Sequence, residues 1–204
     1  MVISGLADKY KASLTREQFL FKEMRVTARL METGMSDAEV VQHIIEDNAF
    51  QYPSSKSYKQ MADVCLKRLR NMGDDALITA VAKQPAEEAR QICLYALMKQ
   101  NKLVWEFMLA VIGEKYRQQN LHFSKRDINE YFFQIREQDE AVAKWSDSTF
   151  NRLRNILLKL LVDNEYLDKR DAERLNPVWM YPLLENSLRE RGEEALLPAF
   201  NKFG

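Results

Sequence analysis

The chain has little that bends or breaks a backbone. Six glycines and five prolines in 204 residues are too few for the turns of a β-rich fold, which leaves helix as the expected structure. Two cysteines, Cys65 and Cys93, form neither a disulfide framework nor a zinc cluster, and they suit a reducing compartment. No apolar run reaches the roughly 18 residues of a spanning helix. The longest, over 103–113 and 156–162, are interrupted by Glu106 and Lys159. The N-terminus lacks the basic region and apolar core of a secretory signal. Net charge is missing too: thirty basic and thirty acidic side chains cancel, so bulk charge points to no partner. These absences predict a cytoplasmic protein with no contact with a membrane.

Catalytic signatures are also absent. His43 and His122 stand far apart, with no cysteine or carboxylate at ligand spacing. Cys65 and Cys93 fall on apolar helix faces, as core residues do. Neither GxGxxG nor GxxxxGK followed by Ser or Thr occurs, so no phosphate-cradling loop is visible. The Asp-x-Lys or Glu-x-Lys tripeptide common in metal-dependent nucleases does not occur either. The run Tyr131, Phe132, Phe133 with Trp145 could stack on bases, but at helical spacing it reads as core. No enzyme activity, cofactor or metal is expected.

What is present is helical periodicity. A first helix is expected from Leu14 to Glu32, with Leu20, Met24, Ala28 and Met31 as its buried stripe. A second starts at Ser36, where Glu39 completes a capping box, and turns Val40, Ile44 and Ile45 inward. A third starts near Ser54–Ser57 and buries Met61, Cys65, Leu69 and Met72. Three more helices are expected over 75–83, 86–99 and 103–118. Ser124 with Asp127 opens another, and a serine-rich start at Ser146 opens the helix of Phe150, Leu153, Leu157, Leu160 and Leu161. A last helix spans about Val178 to Arg191. The predicted architecture is all-α and compact. A helix-turn-helix-like unit over 1–73 and a second over 121–204 flank a central helical core over 74–120. The second unit has room for a short β wing over Tyr166–Pro177.

Neutral overall, the chain is segregated locally. Between Ser54 and Met72, Lys56, Lys59, Lys67, Arg68 and Arg70 face only Asp63, a net of +4. Between Lys144 and Lys159, Lys144, Arg152, Arg154 and Lys159 face only Asp147, a net of +3. Ser36–Phe50, by contrast, carries Asp37, Glu39, Glu46 and Asp47 with no Lys or Arg, a net of −4. Each basic helix closes a helix–helix set and begins with serines. A recognition helix needs this arrangement: an N-terminal turn offering N–H and hydroxyl groups to phosphate, one apolar face, and one face of cations and amides. The candidate DNA-binding residues are Lys56, Ser57, Lys59, Gln60, Lys67 and Arg70 on the first helix. On the second they are Lys144, Ser148, Asn151, Arg152, Asn155 and Lys159. About six neutralised phosphates would make log K fall with log salt at a slope of roughly −5.

Across nearly its whole length the chain resembles the BrxA family of BREX bacteriophage-resistance systems. Three stretches carry the resemblance. The first is Glu32-Thr33-Gly34-Met35-Ser36 with the helix end Glu46-Asp47-Asn48. The second is Lys67-Arg68-Leu69. The third is Trp145-Ser146-Asp147-Ser148-Thr149 leading to Leu153 and Leu157, then Asp163-Asn164-Glu165-Tyr166-Leu167. The resemblance implies a compact all-helical protein with helix-turn-helix-like units that binds double-stranded DNA. It also implies an accessory part in phage defence beside other BREX proteins. The family's helical core is similar to that of RNA-binding antitermination factors. Two alternatives therefore stay open: a protein–protein assembly module of the defence complex, and RNA binding through the core.

Overall fold

The computed structural model describes residues 8–53 and 57–204. The chain forms two units. One is Phe19–Gln100, and the other is Asn101–Gly204 with the described part of Met1–Gln18. Every regular element among the described residues is a helix or helical turn, so the fold is all-α. The divisions fall at 18/19 and 100/101 rather than at 73/74 and 120/121. The helices expected to form a central core are shared between the two units.

The first unit holds α1 (Phe21–Met31), α2 (Asp37–Glu46), α3 (Tyr58–Asn71), α4 (Asp75–Lys83) and α5 (Ala86–Gln100). The helix expected from Leu14 begins only at Phe21, because Leu20 sits in the left-handed region at φ 54° and breaks the run. Ala12–Thr15 is a separate 3-10 turn belonging to the second unit. Arg68 supports this break from inside. It is 1% exposed, donates from Nη1 to the Phe19 carbonyl at 3.1 Å, and from Nε to Gln100 Oε1 at 2.7 Å. A guanidinium counted on sequence grounds among the α3 cations is thus an internal tie from α3 to the start of α1 and the end of α5.

Helix α2 begins as expected, with Ser36 accepting from the Glu39 N–H and the Glu39 carboxylate accepting from the Ser36 N–H. Val40 and Ile44 are buried against Ala62 and Leu66 of α3, whereas Ile45 stays half-exposed rather than facing inward. Asp74 caps α4 through the Ala76 and Leu77 N–H groups. Helix α5 is buried almost all round from Ile92 to Lys99, as the central helix of a unit must be, and packs on α1, α3 and α4.

In the second unit α6 (Lys102–Glu106), a π-helical segment Phe107–Gly113 and α7 (Glu114–Arg117) follow one another without a break. Then come α8 (Lys125–Gln138), a one-turn α9 (Glu140–Ala143), α10 (Asp147–Asp163) and α11 (Pro182–Glu190). The last helix starts at Pro182, four residues later than expected, with proline in its first turn. No helical period marks the chain beyond Gly192, yet a 3-10 turn over Glu194–Phe200 follows and buries Leu196 to Phe200. Gly113 fits against that turn: a Cβ there would lie 3.2 Å from the backbone of Pro198 and Ala199. The expected wing reduces, among the described residues, to one antiparallel bridge between His122 and Arg174. Hydrogen bonds from Phe123 N–H to the Glu173 carbonyl (3.0 Å) and from Leu175 N–H to the Leu121 carbonyl (2.8 Å) flank it.

Candidate nucleic-acid interface

The two candidate helices differ in what surrounds them. Ser57, Lys59, Gln60, Lys67 and Arg70 are all exposed on α3, while Lys56 lies outside the described residues. Ser57 precedes α3 without a side-chain capping bond. Lys59, Lys67 and Arg70 border an open groove of about 730 Å³ between α2 and α3, floored by Val41, Ile45 and Leu66. The same groove is lined by Asp37 and Glu46 from α2 and by Asp63 from α3. Three cations thus face three carboxylates. Arg70 is held by Asp37 Oδ1, at 2.7 Å from Nη2 and 3.2 Å from Nε, with Asp75 at 4.0 Å. The α3 face presents matched charge, not a positive stripe.

On α10 the sorting survives. Ser146 caps the helix by accepting from the Thr149 N–H at 3.2 Å, and its hydroxyl lies 2.9 Å from that of Ser148. Ser148, Asn151, Arg152, Asn155 and Lys159 are exposed on one arc, with Leu153, Leu157, Leu160 and Leu161 buried behind them. Lys144 is exposed just ahead of the cap. Carboxylates stand only at the helix ends, where Asp147 opens the first turn and Asp163 closes the last. Lys159 is paired to Asp163, and Asn151 Oδ1 accepts from Arg154 Nη1 at 2.8 Å. Among the described residues Lys144 and Arg152 have no carboxylate partner.

Sequence reasoning missed a third feature. Phe133, expected in the core, is 65% exposed, whereas Tyr131 and Phe132 are buried. It borders a cleft of about 470 Å³ between α8 and α10 that also holds Arg126, Arg136 and Arg154. The signal was available: three successive residues on a helix spread over about 200° and cannot share one buried face.

The remaining reactive groups are inert or dispersed. Cys65 and Cys93 are fully buried, and burial pushes the Cys65 thiol up to about 12. His43 pairs with Asp47 at 3.1 Å, and His122 is exposed. Among the described residues no three His, Cys, Asp or Glu side chains are placed to hold a metal ion. No described helix is long and apolar enough to cross a membrane.

Comparisons with known proteins fit this architecture. The BrxA family profile matches residues 8–192. A BREX protein BrxA from Bacillus cereus (strain H3081.97) is 32% identical over 165 residues, covering 81% of this chain and 82% of that protein. The BREX protein BrxA of Paramagnetospirillum magneticum (strain AMB-1) is 25% identical over 93% of this chain and 94% of its own length. That of Escherichia coli O9:H4 (strain HS) is 26% identical over 86% and 82%. A crystal structure of an uncharacterized protein from Magnetospirillum magneticum superposes with a TM-score of 0.77. It covers 94% of this chain and 97% of that one at 24% identity, and so bears on the fold alone.

Proposed function

We propose that this chain, which belongs to the BrxA family, is the BrxA component of a BREX phage-defence system and binds double-stranded DNA without catalysing a reaction. A cytoplasmic location goes with that reading, as does contact with other BREX proteins. The observation that carries it is the outward arc of α10, where Ser148, Asn151, Arg152, Asn155 and Lys159 stand together and acids occupy only the helix ends. Cations set beside amides and hydroxyls on one rigid helix suit a phosphate backbone and groove edges.

The order of elements supports the same reading. A helix over 102–117 is followed by the extended residues at 121–123, then α8 and α10, then a return through Arg174 that bridges to His122. A winged helix-turn-helix follows this order, here with the wing reduced to a single bridge and α9 in place of a tight turn. The α3 helix, its charge matched by α2, serves this function less well than sequence alone implies. Its groove, apolar at the floor and balanced at the rim, favours the second reading, a surface for assembling with a protein.

Fluorescence anisotropy with labelled duplex DNA and hairpin RNA of matched length, in metal-free buffer, tests the proposal. The duplex is expected to bind more tightly, and Lys144→Gln with Arg152→Gln to weaken it. Tighter binding of the hairpin would move the function to RNA. Absence of nucleic-acid binding, with a partner retained after nuclease treatment, would leave the assembly reading.

A further inference from the structure

The cleft between α8 and α10 holds five charges that do not neutralise one another. Arg126, Arg136 and Arg154 line it together with Glu130 and Asp147, and among the described residues none of the three guanidinium groups is ion-paired. Two of the three rest on rings instead. Arg136 lies 5.5 Å over Phe150, and Arg154 lies 5.6 Å over Phe132 and 6.0 Å over Phe150. A guanidinium resting on an aromatic face keeps its N–H donors in plane and open to a planar acceptor. Arg154 uses Nη1 for Asn151, while its buried Nε has no acceptor. Phe133, 65% exposed, borders the same cleft. An uncovered aromatic ring beside arginines has the composition of a binding hot spot.

We propose that this cleft docks a short acidic peptide segment of a partner protein. A carboxylate of the peptide is taken by the free guanidinium edges of Arg126 and Arg136, and a neighbouring aromatic or leucine side chain is laid on Phe133. The charges decide between occupants. A single nucleic-acid strand would set a phosphate against Glu130 or Asp147 in any register. A peptide carries backbone N–H donors for those two carboxylates and can place its own carboxylate at one point only. A volume of about 470 Å³ takes a few side chains rather than a whole helix. The cleft adjoins the α10 arc at Asn151, which accepts from Arg154, but Arg152 and Arg154 project from nearly opposite sides of the helix, so substituting Arg152 leaves the lining of the cleft in place.

A random short-peptide display library, selected on the native protein and counter-selected on the Phe133→Ala/Arg126→Glu variant, tests this. Both substituted residues are exposed, so the variant keeps its fold. The enriched peptides are expected to share an aromatic residue or leucine beside Asp or Glu. Each single substitution should weaken a selected peptide at least about tenfold. Arg152→Gln should leave the peptide unaffected while weakening duplex DNA, which separates failure here from failure of the DNA reading. Enrichment of basic peptides, or no sequence that distinguishes protein from variant, would overturn the proposal. So would oligo(dT) binding that is lost with Phe133→Ala and competes with the peptide.

Discussion

The salt dependence of DNA binding distinguishes a grip by one helix from a grip by two. If α10 alone contacts the duplex, Lys144 and Arg152, with Lys159 exchanging Asp163 for a phosphate, neutralise three phosphates, and log K falls with log salt at a slope of about −2.7. Between about 50 and 200 mM salt that is a loss of about 40-fold. If Lys59, Lys67 and Arg70 also engage, six phosphates give a slope of about −5 and a loss of well over a thousandfold. The three carboxylates lining the α2–α3 groove favour the smaller number. Anisotropy titrations of a labelled duplex across this salt range are expected to give the shallower slope. Lys59→Gln/Lys67→Gln should leave it in place, and Lys144→Gln/Arg152→Gln/Lys159→Gln should bring it close to zero. All five side chains are exposed, so thermal melting should not move. A slope near −5 that the α3 pair of substitutions lowers would show that the groove carboxylates do not screen. A slope indifferent to the α10 substitutions would refute the placement on α10.

Gly113→Val should lower stability to urea by about 1–3 kcal/mol, because the added atoms meet the buried backbone of Pro198 and Ala199. A variant as stable as the parent would show that the C-terminal turn yields. Asp127→Asn should flatten the acid limb of stability against pH. Burial pushes this carboxyl up, but hydrogen bonds from Lys115 and from Ser124 outweigh it, so its folded value lies below the ordinary one. Such a group stabilises above its unfolded pKa of about 3.9 and loses that contribution as pH falls through the lowered folded value. An unchanged acid limb would remove Asp127 from the account. The thiols of Cys65 and Cys93 are buried and their pKa values raised, so a disulfide reagent at neutral pH should modify them only as fast as the protein unfolds. Prompt reaction of the native protein would place a thiol within reach of solvent.

Local pattern carried much of the fold. The caps at Ser36, Ser124 and Ser146 stand one residue before α2, α8 and α10, since a cap and an apolar stripe are both written within a few residues. What escaped was written elsewhere in the chain. Leu20 adopts a left-handed conformation that its residue type does not announce, and the buried Arg68, which bonds to the carbonyl just before it, is distant in sequence. The turn at Glu194–Phe200 contains Pro198 and has no helical period, so nothing local marks Leu196–Phe200 as core. Gly113, the last residue of the π segment, leaves room for the backbone of that turn, which lies more than eighty residues further on.

The charge pattern shows the same limit most sharply. The +4 stretch that became α3 and the −4 stretch that became α2 were each legible, but their adjacency was not. Packed helices lie about 8–10 Å apart. That is close to the Debye length of about 8–10 Å at moderate salt. A polyanion therefore meets α2 and α3 together, as paired charges rather than a positive stripe, and the two donations of Arg70 to one oxygen of Asp37 make one such pair. Helix α10 carries less local charge than α3, yet the cleft it shares with α8 is lined by Arg126, Arg136 and Arg154 against Glu130 and Asp147, an excess of one cation where the α2–α3 groove has none. The electrostatic character of a helix face belongs to the helix and its neighbour jointly, which is why two helices of similar sequence charge present different surfaces.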